Sequence, residues 1–255
     1  MMAFVEISNV RKVFSGGGRE VVALDEANLS FGEGEFVALL GPSGCGKTTL
    51  LKIVSGLISK TSGSVTVAGQ EVTGPYSDYG FVFQQPSLMP WRTVRENVLF
   101  PMEILKRKDA AAAKRADELL ALTGLSSFAN SRPHELSGGM QQRVSLCRAL
   151  IHKPRLLLMD EPFGALDEFT RLEMNDLLLK VKNETKASVL FVTHSISEAI
   201  YLSDKVVVFS RRPARVHLEF NVALPGPRSQ ATRFTPEFTE AERRASEALG
   251  LLGAH

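Results

Sequence analysis

Phe36-Val37-Ala38-Leu39-Leu40-Gly41-Pro42-Ser43-Gly44-Cys45-Gly46-Lys47-Thr48-Thr49 is the stretch around which the rest of the chain is organised. Five consecutive apolar residues, with Gly34 and Gly41 close on either side, predict a strand buried on both faces. Beyond Gly46 the apolar positions Leu50, Ile53, Val54 and Leu57 recur at helical spacing. A strand, a glycine-rich turn and a helix thus follow one another within about twenty residues. That is the context required of the phosphate-binding pattern G-x-x-x-x-G-K-[ST], matched from Gly41 to Thr48. Gly41, Gly44 and Gly46 allow backbone conformations that converge successive N–H groups on one point. The following helix adds unpaired N–H groups and the positive end of its dipole. Lys47 brings a mobile charge for the β- and γ-phosphates, and the Thr48 hydroxyl is a Mg²⁺ ligand. The stretch therefore predicts a nucleoside triphosphate site.

Composition frames this expectation. At 255 residues the chain can bury a large core, as one big domain or as two lobes. Hydrophobic residues at 44% and charged residues at 23% are ordinary for a soluble globular protein. A net charge of +2 does not point to nucleic acid, and none is expected as a partner. No apolar run approaches the ~20 residues needed to span a bilayer. The start Met1-Met2-Ala3-Phe4-Val5-Glu6 does not read as a signal peptide. Cys45 and Cys147 have no metal-ligand spacing and read as two reduced thiols in a cytosolic protein.

Upstream, residues from Val5 to about Phe36 alternate apolar and polar positions. Turns at Ser15-Gly16-Gly17-Gly18 and Gly32-Glu33-Gly34-Glu35 make this an antiparallel sheet leading into the phosphate-loop strand. Phe14, just before the first turn, is either a purine-stacking residue or a strand-face core residue. Downstream, Ser62–Gly69 and Tyr79–Phe83 are short strands. Gln84 to Val94 is a proline-broken loop holding Trp91, the only tryptophan, as a partner anchor or as packing under the loop. From there to about Leu150 the pattern is helical, with stretches at Glu96–Leu105 and Ala110–Leu122. A further helix begins near Gly138, with Met140, Val144, Cys147 and Ile151 in one stripe that buries Cys147. Ser137, Gly138 and Gly139 at its N-terminus form a second place for an anion.

Leu156-Leu157-Leu158-Met159 is a buried strand ending in Asp160-Glu161-Pro162, where ligands gather in parallel sheets. Asp160 suits Mg²⁺, and Glu161 is a base for a hydrolytic water. Ala165-Leu166-Asp167 leads into a helix carrying Met174, Leu177, Leu178 and Val181 on one face. A final buried strand, Ser188–Val192, ends in Thr193-His194-Ser195. His194, at the end of a strand of the same sheet, reads as a γ-phosphate neighbour.

The ordered set GPSGCGKTT, VFQQ, LSGGMQQR, LLLMDEP, ALD and VTHS resembles the nucleotide-binding subunits of ATP-binding cassette transporters, from about Val5 to Phe209. The resemblance implies an α/β fold: a phosphate-loop (RecA-like) core sheet, an antiparallel β subdomain and an inserted α-helical subdomain. It implies one cassette: a core of 1–84 and 154–210, a helical lobe of 85–153 and a C-terminal extension of 211–255 with a terminal helix starting at Pro236. It further implies ATP and Mg²⁺ as cofactors and a homodimer whose head-to-tail pairing sandwiches ATP between one subunit's loop and the other's signature. On these positions the ATP loop is Gly41, Pro42, Ser43, Gly44, Cys45, Gly46, Lys47, Thr48 and Thr49, and Phe14 takes the adenine-stacking place, usually tyrosine. Thr48, Gln84 and Asp160 serve the metal; Glu161 is the base; His194 meets the γ-phosphate; Gln84 links metal and water to the membrane subunit. Ser137, Gly138 and Gly139 cap the partner's ATP, and Asp167 lies at the dimer interface. Met140 stands where the family most often has glutamine, which leaves the backbone anion site intact.

Pro90-Trp91-Arg92-Thr93-Val94, Ser210-Arg211-Arg212-Pro213-Ala214-Arg215-Val216 and the tail around Pro225–Arg228 are similar to bacterial importers of nitrate, alkanesulfonates and taurine. This resemblance implies an ATPase peripheral to the cytoplasmic face of the inner membrane, docked on permease subunits near Gln84–Trp91 and served indirectly by a periplasmic solute-binding protein. The alternative is a cassette ATPase without a membrane partner, such as a cofactor-assembly ATPase. A DNA-repair ATPase needs long coiled coil that the helical region cannot house. A two-cassette translation factor needs every motif twice. A phosphotransferase lacks the signature.

Overall fold

A computed structural model describes residues 3–16 and 19–251. Residues 1 and 2 at the expected non-signal start, and residues 17 and 18 of the first glycine turn, lie outside the described residues. The chain divides into two compact units, Met1–Ser77 with Ser188–His255, and Asp78–Ala187.

The first unit opens with an antiparallel hairpin, β1 (Val5–Gly16) on β2 (Arg19–Phe31), in the alternating burial that its sequence predicts. β3 (Phe36–Leu40) is buried at every residue, and the phosphate loop and α1 (Lys47–Val54) follow it. β4 (Ser62–Val67) pairs antiparallel with β1 and with the short β5 (Gln70–Glu71), completing a sheet of order β2-β1-β4-β5. α1 ends at Val54, short of Leu57, which is exposed. The helix cannot run on because Gly56 has φ +72 and packs so closely that a Cβ there would lie 2.0 Å from the Gly74 oxygen.

The second unit begins with β6 (Tyr79–Val82) and continues into α2 (Val94–Ile104), α3 (Ala110–Leu122) and α4 (Gly138–Leu150). α2 starts on a capping box in which Thr93 and Glu96 satisfy each other's backbone N–H groups. Asp109 caps α3 by accepting from the Ala112 amide. β7 (Leu156–Asp160) pairs parallel with β6, and α5 (Glu168–Thr185) completes the unit.

Back in the first unit come β8 (Ser188–Thr193), α6 (Ile196–Leu202), β9 (Lys205–Phe209), β10 (Val216–Asn221) and α7 (Pro236–Ala248). β8 is therefore not the last strand. The Val206–Phe209 run is fully buried, because β9 lies parallel to β3 on the side opposite β8, and β10 pairs antiparallel beyond it. α7 does start at Pro236 and buries Phe238 and Ala245. The molecule is thus α/β, with a mixed sheet, an antiparallel sheet and helices.

Candidate nucleotide-binding site

In the first unit the sheet register sets where the loop leaves. Leu40 of β3 lies opposite Thr193 of β8 and Val208 of β9. Gly41 and His194 therefore emerge from neighbouring strands at one sheet edge, and Gly41 also abuts Phe209, whose oxygen would lie 3.1 Å from an added Cβ. The loop then turns through Gly44 at φ +71 and Gly46 at φ +136. A Cβ on Gly46 would meet the Ala23 oxygen at 2.7 Å and Ala214 at 3.2 Å, so the cradle admits only glycine there. Lys47 is only 3% exposed, and its Nζ donates to the carbonyls of Gly41 at 2.6 Å and Pro42 at 3.0 Å. A buried ammonium held at the start of a helix, inside a loop with two glycines at positive φ, suits a polyphosphate. Thr48 and Thr49 open the same helix, while Ser43 and Gly44 are exposed at the loop tip.

His194 is exposed directly after the buried β8. The backbone around it is fixed by three bonds: Thr193 Oγ1 donates to Glu198 at 2.6 Å, Ser195 N donates to Thr193 Oγ1 at 3.0 Å, and Glu198 N donates to Ser195 Oγ at 3.3 Å. The Ser195-x-x-Glu198 spacing carried this signal in the sequence. Phe14 is 44% exposed on β1, with Lys12 Nζ 4.9 Å from its ring centroid, so it is a surface ring and not a core residue.

The second unit gathers the other predicted residues. Val82 of β6 is in register with Met159 of β7, so the Gln84 loop and the pair Asp160, Glu161 leave parallel strands at the same end. Glu161 sits at φ +43, sparsely populated for a side-chain-bearing residue and costing about 1–3 kcal/mol. Ser137 caps α4 by accepting from the Met140 amide, with Gly138 exposed at the first turn. Gly139 is required by packing, since its Cβ would lie 2.6 Å from Thr170 Cγ2 of α5. Thr170 in turn donates to Asp167, the cap of α5, at 2.6 Å, and these bonds hold the Asp167 carboxyl below its ordinary range. The signature turn and Asp167 are thereby in one packed patch. Met140, the departure from glutamine, is half-buried.

Three residues that the sequence reading passed over hold the Gln84–Val94 loop. Gln142 of α4 donates to the Phe83 carbonyl at 3.0 Å. Arg148, in the last turn of the same helix, donates to the carbonyls of Pro86 and Ser87, each at 2.8 Å. Asn97 of α2 is buried, accepts from Met89 N at 2.8 Å and donates to the carbonyls of Met89, Arg92 and Thr93. A loop this firmly tied presents Trp91 at 71% exposure, so packing under the loop is not its role. Arg92 beside it pairs with Glu103 at 2.8 Å. Cys147 is buried in α4, and desolvation pushes its thiol up to about 12. Among the described residues no group of three His, Cys, Asp or Glu converges as a metal site of its own.

Residues 24–164 match the family described as ABC transporter. An aliphatic sulfonates import ATP-binding protein of Bacillus subtilis is 42% identical over 94% of this chain and 92% of its own length. A taurine import ATP-binding protein of Pelagibacter ubique is 46% identical over 80% of this chain and 77% of its own. An uncharacterised ABC transporter ATP-binding protein of Methanocaldococcus jannaschii is 45% identical over 98% and 92%. Among solved structures, a dimeric post-hydrolysis ATP-binding cassette bound to ADP and Pi superposes with TM-score 0.75 at 36% identity, covering 86% of this chain and 99% of that one.

Proposed function

Because this chain belongs to the ABC transporter ATP-binding family, we propose that it is the ATP-hydrolysing subunit of an importer for a small anion of the sulfonate, taurine or nitrate class. The observation that carries the ATPase reading is the phosphate loop, with its glycine-only turn backed by Ala23 and its buried Lys47. The import names of the sulfonate and taurine relatives support transport over a cassette without a membrane partner.

In this reading Lys47 exchanges its loop carbonyls for β- and γ-phosphate oxygens as the triphosphate enters, and Phe14 stacks on the adenine. Thr48, Gln84 and Asp160 supply the hydroxyl, amide and carboxylate oxygens that Mg²⁺ favours. An ion held there would neutralise charge on the phosphates. Glu161 takes a proton from the attacking water, whose oxygen bonds the γ-phosphorus as the bond to the bridging oxygen breaks, leaving ADP and phosphate. His194 stabilises the γ-phosphate oxygens during that transfer. Two copies pair head to tail, so that Ser137, Gly138 and Gly139 of one close on the nucleotide of the other, with Asp167 at the seam.

Among the described residues no helix is long and apolar enough to cross a membrane. The subunit acts as a peripheral partner on the cytoplasmic face, docked on permease subunits through the Gln84–Trp91 loop, while a periplasmic solute-binding protein delivers cargo from the far side. Nucleic acid is no part of this cycle. Within the subunit, α4 carries the signature at one end and grips the docking loop through Gln142 and Arg148, which links ATP closure to the permease. Glu161→Gln tests the ATPase reading: ATP binding stays, hydrolysis falls about 10²–10⁴-fold, and ATP accumulates on a stable dimer. Hydrolysis at the wild-type rate would remove Glu161 from the base role.

A further inference from the structure

We propose that Arg212, from the turn after β9, is a positioning residue that sets the phosphate loop for triphosphate binding; this rests on the ATP-binding reading above. Its guanidinium reaches 168 residues back along the chain, and Nη2 donates to the carbonyl of Gly44 at 2.5 Å. Gly44 is the loop-tip glycine at φ +71, and among the described residues Arg212 is the only neighbour that an added Cβ there would approach, at 3.9 Å.

The turn that carries Arg212 is itself fixed. Ser210 N donates to Arg215 O at 3.0 Å, and Ser210 Oγ accepts from Arg215 N at 3.1 Å. Ala214 is fully buried and exchanges backbone bonds with β2: its N–H donates to Ala23 at 3.1 Å, and its carbonyl accepts from Asp25 at 3.0 Å. Arg215 adds a two-nitrogen grip on Asp25 Oδ2, at 3.0 and 2.5 Å. Ala23 and Ala214 are the same residues that back Gly46. One rigid block thus supports the loop from behind at Gly46 and holds it in front at Gly44.

The physical consequence follows from how such a loop works. It binds anions by turning N–H groups inward, which requires some of its carbonyls to point outward, where they are unpaired. A cation on one outward carbonyl favours that peptide orientation before ligand arrives, so less ordering is left to the binding step. The guanidinium also keeps one positive charge beside a site for a polyanion. Arg212 acts on nucleotide through Gly44, so its loss weakens binding more than the chemical step.

The test compares Arg212→Ala, Arg212→Lys and Arg211→Ala in the full chain. Arg211 is exposed in the same turn and carries the same charge, but among the described residues its side chain forms no hydrogen bond or ion pair. ATP affinity is read by calorimetry on Glu161→Gln backgrounds, and KM and kcat on the hydrolysing forms. Arg212→Ala is expected to weaken ATP binding and raise KM about tenfold, as for loss of a hydrogen bond to a charged donor, with kcat at saturation within about twofold. Arg212→Lys recovers part of the loss, because it restores the charge without the planar fork. Arg211→Ala leaves affinity unchanged, and all three unfold at the wild-type temperature without nucleotide. Unchanged ATP affinity in Arg212→Ala, or an equal loss in Arg211→Ala, would overturn the assignment. Wild-type protein that binds no ATP would instead defeat the ATPase reading itself.

Discussion

Gly46→Ala gives the most direct test of how the phosphate loop is built. Gly46 has φ 136 and ψ 0, a region closed to residues with a Cβ, and holding alanine there costs about 1–3 kcal/mol. The added methyl would also meet the Ala23 oxygen at 2.7 Å and Leu24 Cδ2 and Ala214 Cβ at 3.2 Å each. Ala23 O cannot simply withdraw, since it accepts the Ala214 amide at 3.1 Å within the β2 bridge. Overpacking against backbone adds about 1–3 kcal/mol more. A combined cost near the middle of these ranges, about 4 kcal/mol, lowers the unfolding midpoint by about 8–16 °C for a chain of this size. Two glycines serve as references in the same thermal unfolding series. Gly69, at φ +78 with no atom of the described residues within 4 Å of an added Cβ, isolates backbone strain, and Gly74, with no positive φ and likewise no described atom that close, should be neutral. Calorimetry should find ATP binding lost in Gly46→Ala and retained in the other two. A Gly46→Ala protein as stable as Gly69→Ala, with ATP affinity intact, would refute the reasoning.

Ser137→Arg should leave ATP binding by the monomer intact while abolishing the ATP-dependent dimer in size-exclusion chromatography with Glu161→Gln; lost capping alone costs only about 1 kcal/mol, so an unaltered dimer would defeat the head-to-tail arrangement. Trp91→Ala should keep the ATPase activity of the isolated subunit but weaken co-purification with the permease and abolish uptake, and unchanged uptake in proteoliposomes would remove Trp91 from the docking surface. Burial raises the Cys147 thiol from its ordinary 9.0 to about 12, so above pH 9 the unfolded chain loses this proton while the folded one keeps it. Stability should therefore fall with rising pH between those values by up to about 1.4 kcal/mol per unit, and the pH-dependent difference from Cys147→Ala in urea titrations isolates this contribution.

Local rules were enough for much of this protein. The buried strand before Gly41, the bounds Ala110 and Leu122 of α3, the start of α4 at Gly138 and that of α7 at Pro236 all follow from apolar period, caps and glycine or proline placement. These signals act over a few residues, so they survive in one dimension. The family motifs were legible for the same reason: each is a short run recognisable from its own spacing. What only the tertiary structure decided depends on register between distant segments. β9 lies against β3, and its following turn therefore reaches β2 and sets Arg212 on Gly44. α1 stops where Gly56 meets Gly74, although Leu57 continues the helical rhythm. Gln142, Arg148 and Asn97 look in sequence like ordinary helix polar residues, and only the fold turns them onto the carbonyls of Phe83 and of the Gln84–Val94 loop. An unpaired carbonyl is satisfied by whatever donor the packing brings near, and no periodicity in the sequence records which one that is.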